Sequence, residues 1–156
     1  MKRLLSKIFG TSPPIRIVDS DFGTICYDEP GELQTWGYWQ MESHWRGGDV
    51  SSACIPGDEN GPWERERKFI LSKFSNQDKV WQICESAVFE QASRFVDDLT
   101  LQLVRSRMRL TTINTNPRET DHSEWEAGFD GPTENPSIYV LITLSGVEIL
   151  HTTVDT

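Results

Sequence analysis

Cysteine is scarce in this sequence. Cys26, Cys54 and Cys84 form an odd, widely spaced set with no C-x-x-C pair. That pattern argues against a disulfide framework or a zinc knuckle, and it predicts free thiols in a reducing compartment. Long apolar runs are missing as well. No stretch approaches the roughly 20 consecutive apolar residues of a membrane span. The opening MKRLLSKIFG has its few apolar residues interrupted by Ser6 and Lys7, too short a run for the core of a secretion signal. A cytoplasmic protein with no stable membrane anchor is the expectation. Basic residues are in deficit: 15 Lys and Arg stand against 24 Asp and Glu, for a net charge of −9. An acidic surface repels phosphates and anionic membranes, so nucleic acid is not the expected partner and a basic protein is. Gly-rich phosphate loops, an H-E-x-x-H zinc helix and a G-x-S-x-G nucleophile turn are all absent. No cofactor is expected.

What the chain does contain is unevenly distributed. Lys2, Arg3 and Lys7 make residues 1–14 a basic N-terminal arm, ahead of one domain expected over 15–156. Residues 15–61 hold nine acidic side chains against two basic ones. Six tryptophans in 156 residues demand a packed core or an interface, which argues against a disordered chain.

Periodicity supplies the fold class. Ile15, Ile17, then Phe22, Thr24 and Cys26 alternate around Asp19-Ser20-Asp21, which predicts two strands and a tight turn. Thr35 to Met41 is an aromatic strand in which Gly37 marks a bulge or a close backbone approach. Val50 to Ile55 reads as a fourth strand stopped by Pro56-Gly57. Trp63, Arg67, Ile70, Leu71 and Phe74 then fall at helical spacing, with Pro62 at the first helical position. A second helix carries Val80, Trp81, Cys84, Val88, Phe95 and Leu99, capped by Ser75 to Asp78. Alternation returns at Arg107–Thr115 and at His122–Phe129. It is clearest at Ile138, Val140, Ile142 and Leu144, where Ser145-Gly146 signals a hairpin. Strand runs before and after a helical pair predict an α+β domain, an antiparallel sheet from both strand blocks packed against two central helices. Trp81, Val88, Phe95, Ile138, Val140 and Ile142 are the expected core.

Two constellations are candidates for function. In the aromatic strand, Trp36 and Tyr38 point to one side and Trp39 to the other, so one side is expected to be exposed. With Asp28, Glu29 and Glu32 these residues form a partner-binding set. The carboxylates attract a basic protein over distance, and Trp36 or Trp39 supplies the desolvated anchor. The competing set is His122, Glu124 and Glu126, which share a strand face and would serve a small metal-dependent or acid/base hydrolase. Asp19, Asp21, Asp28 and Glu29 lack the spacing of a calcium loop and read as solvated turns. Arg105, Arg107 and Arg109 alternate and are expected to line one strand face, paired with the acidic first block.

The run Asp21-Phe22-Gly23-Thr24-Ile25-Cys26-Tyr27, the pair Trp36-Gly37, the two helices and the closing strands together resemble a group of small bacterial domains of unknown function. Some of those domains look like immunity proteins, which neutralise toxins encoded beside them by binding. The resemblance implies an intracellular bacterial binding protein and carries over no active site.

Overall fold

The computed structural model describes residues 14–31, 34–42, 45, 50–115, 124–132 and 138–156. Within them the chain is α+β, with two antiparallel sheets and three helices. The first sheet is a meander of β1 (Arg16–Asp19), β2 (Gly23–Asp28), β3 (Gly37–Met41), β4 (Cys54–Asp58) and β5 (Gly61–Pro62). Helices α1 (Glu64–Phe74), α2 (Gln77–Ala92) and the single turn α3 (Val104–Arg107) follow. The second sheet is the meander β6 (Arg109–Thr115), β7 (Glu124–Asp130), β8 (Tyr139–Ser145) and β9 (Glu148–Asp155). Residues 1–13 of the basic arm lie outside the described residues, and so do Glu32 and His122.

The two sheets meet where the chain entering β4 runs parallel to β6. The Thr111 carbonyl accepts the Ser51 and Ser52 N–H groups at 2.9 and 3.0 Å, and Ile113 N–H donates to the Ser52 carbonyl at 3.2 Å. An extra residue makes this possible. The β6–β7 register slips between Leu110 and Thr112, a bulge that leaves Thr111 free to face the first sheet. It also switches the alternation. Leu110 and Ile113, expected on opposite faces, are both buried.

Both helices lie on one face, α1 across β4 and β6 and α2 across β8 and β9. The core forms there from Ile25, Trp39 and Ile55 of the first sheet, Ile70, Phe74, Trp81 and Val88 of the helices, and Trp125, Phe129, Val140 and Ile142 of the second sheet. Trp81 packs on Phe129 with the rings tilted and their centroids 4.7 Å apart, and Phe74 packs edge-on to Phe22 at 5.7 Å. Ile138, Val140, Ile142 and Leu144 are all buried, as their alternation predicts.

Four expectations are corrected. Phe95 is 43% exposed, because α2 ends at Ala92 and the following turns swing it off the apolar stripe. Pro56-Gly57 does not stop the fourth strand. Pro56 pairs with Tyr38 and turns its carbonyl away from β3 to the Trp63 N–H at 2.9 Å, so its missing N–H costs no β3 ladder bond. Pro62 belongs to β5, and α1 begins after it at Glu64. The three arginines share no strand face. Arg105 and Arg107 sit on α3, where Arg105 pairs with Glu85 of α2 and Arg107 donates to the Asp97 carbonyl. Arg109 faces Asp130 at 3.8 Å.

Candidate partner-binding site at one end of the first sheet

An antiparallel meander brings alternate connections to the same end. Here β2 finishes, β3 starts, β4 finishes and β5 starts side by side, with Asp28 opposite Tyr38, Gly37 opposite Gly57 and Asp58 opposite Gly61. Asp28-Glu29 and Asp58-Glu59, far apart in sequence, therefore converge. All four are exposed. All four act on the Tyr27 hydroxyl, whose pKa is pushed up first by burial and then by Asp58, Glu29, Glu59 and Asp28. Each added negative charge nearby disfavours the phenolate.

Two glycines shape this end. A Cβ on Gly37 would lie 2.4 Å from the Asp28 carbonyl and 2.5 Å from the Tyr27 ring, so the bare position is where Tyr27 lies down. This is the close approach that the aromatic strand predicts. Gly57 does the same for Trp39, whose Cδ1 would meet an added Cβ at 2.9 Å. Tyr27 and Trp39 face one another across β2 and β3 with ring centroids 5.2 Å apart.

Trp39 is not a surface anchor. It is fully buried, and its indole Nε1 donates to the Asp58 carbonyl at 2.9 Å. Its side of β3 faces the core, so Trp39 does not supply the anchor expected of it. Trp36 remains. It is half-buried in front of β3 and meets Trp63 at 6.3 Å between ring centroids, and Trp63 is 37% exposed. The Trp36 Nε1 is itself buried and has no hydrogen-bond partner among the described residues. Gln34 Nε2 donates to the Tyr38 hydroxyl at 3.3 Å, and Gln40 Nε2 donates to Asp28 at 3.4 Å. Asp28, Glu29 and Trp36 were legible as candidates in the sequence. Asp58, Glu59 and Trp63 were missed, although an up-and-down order of four strands already implies that the second and fourth connections share an end.

The competing set is only partly placed. Glu124 and Glu126 lie on the face of β7 opposite Trp125, as their spacing predicts, and both are half-buried. Glu126 accepts from Asn114 Nδ2 at 3.5 Å, and Asn114 Oδ1 accepts the Cys54 N–H at 2.9 Å, so this carboxylate lies beside the joint between the sheets. Among the described residues no three His, Cys, Asp or Glu side chains come together as metal ligands. Asp19 and Asp21 are occupied otherwise, since both pair with Arg67 of α1. Trp45 packs on Phe74 with ring centroids 5.3 Å apart and is half-buried. Among the described residues no helix is long and apolar enough to cross a membrane. Compared with family models, with curated proteins and with solved structures, the chain has no match in any of the three.

Proposed function

We propose that this protein works by binding a basic protein partner, in the manner of a toxin-neutralising immunity protein in the cytoplasm. One observation carries the reading: two separate acidic pairs converge around Tyr27, next to a partly exposed tryptophan pair. The carboxylates of Asp28, Glu29, Asp58 and Glu59 provide long-range attraction to a cationic surface. Trp36 and Trp63 provide the aromatic area that interfaces favour, at the rim of that charge. Three free thiols fit a reducing compartment.

The direct test takes the product of the gene adjacent to this one in the source genome. The two purified proteins are mixed and their association is followed by titration calorimetry and size-exclusion chromatography. A stoichiometric complex that weakens when Asp28, Glu29, Asp58 and Glu59 are neutralised to their amides is the expected result. A protein that binds no macromolecule but turns over a small substrate, with His122→Ala abolishing turnover, would replace this reading with a hydrolase.

A further inference from the structure

We draw no further inference here: the strongest candidate, the exposed apolar patch that Val147, Ile149 and Leu150 form at the tip of the β8–β9 hairpin, carries nothing because no observation in the structure shows what covers it.

Discussion

Asp19 shows how much a single side chain can hold in this chain. Its Oδ1 accepts the N–H groups of Asp21 and Phe22 at 2.8 and 3.1 Å, which closes the β1–β2 turn. The same carboxylate takes Arg67 Nε at 2.9 Å and Nη2 at 3.0 Å, which fastens that turn to α1. Burial pushes the Asp19 pKa up, but the Arg67 guanidinium and the two N–H groups outweigh it and hold the carboxyl below its ordinary range. A carboxyl lowered by folding stabilises the native state at pH values above its unfolded pKa. That contribution is lost as pH falls through the lowered native value. Asp19→Asn is therefore expected to cost about 2 kcal/mol at neutral pH, the scale of charge-assisted hydrogen bonds to a largely buried partner. The gap between wild type and variant should close in strong acid. Urea midpoints measured across that pH range check it, and a gap that stays constant with pH would contradict the assignment. The thiols give a second test at this scale. Cys84 is fully buried and its pKa is pushed up to about 12, chiefly by burial. Burial also raises Cys54, which is half-buried, as is Cys26. Thiolate is the reactive form. Native-state alkylation followed by mass spectrometry should leave Cys84 unlabelled while denaturation exposes three labels. Early labelling of Cys84 would show that α2 does not seal it.

Elements that bury one face could be read directly from the sequence, and those that bend could not. Along β7 and β8 every second residue is apolar, and Trp125, Ala127, Phe129, Val140 and Ile142 all reach the core. The period of two is enforced there because a one-residue slip would turn the whole set to solvent. The same reasoning failed on β6, where the bulge at Thr111 exchanges faces in mid-strand, and on β4, where Pro56 is tolerated because its ring nitrogen faces away from β3. Both exceptions are decided by a neighbouring strand that local pattern does not contain. The helix caps misled in a similar way. Asn76 precedes α2, yet its side chain donates back to the Ser72 carbonyl of α1 at 2.8 Å and makes no cap for α2. Two expectations belong to elements. Trp81→Ala on α2 should cost roughly 3–5 kcal/mol, since it removes a buried ring packed against Phe129. Phe95→Ala, beyond the end of α2, should cost clearly less. Denaturant midpoints compare the two, and equal losses would mean that the chain after Ala92 is packed as tightly as the helix. On β3, Gly37→Ala should destabilise by about 1–3 kcal/mol, because the new methyl overlaps the Tyr27 ring and the Asp28 backbone. Tyr27→Ala in the same background should recover part of that loss.

For the whole molecule the question is how charge and aromatic surface would divide the work of the proposed binding. Half of the candidate site was readable from local sequence, since Asp28 and Glu29 come just before the aromatic strand that carries Trp36. The other half depends on register. Asp58, Glu59 and Trp63 join it only because β4 runs back to the end where β2 finished. The same register removes Trp39, by placing its indole N–H on the Asp58 carbonyl. Exposed carboxylates act mainly before contact, by steering a cationic partner through solvent, and salt screens them over about 8–10 Å. A desolvated tryptophan acts after contact, by holding what has docked. The two sets should therefore separate in kinetics. Neutralising Asp28, Glu29, Asp58 and Glu59 together is expected to slow association by roughly tenfold or more at low salt and to flatten its dependence on ionic strength, with little change in dissociation. Trp36→Ala or Trp63→Ala should leave association nearly untouched and speed dissociation, by about tenfold or more if either ring is a hot spot. Stopped-flow or surface-plasmon measurements against the proposed basic partner at several salt concentrations distinguish these outcomes. If neither the charge variants nor the tryptophan variants change either rate, the partner is not drawn by this acidic end, and the contact lies elsewhere on the protein.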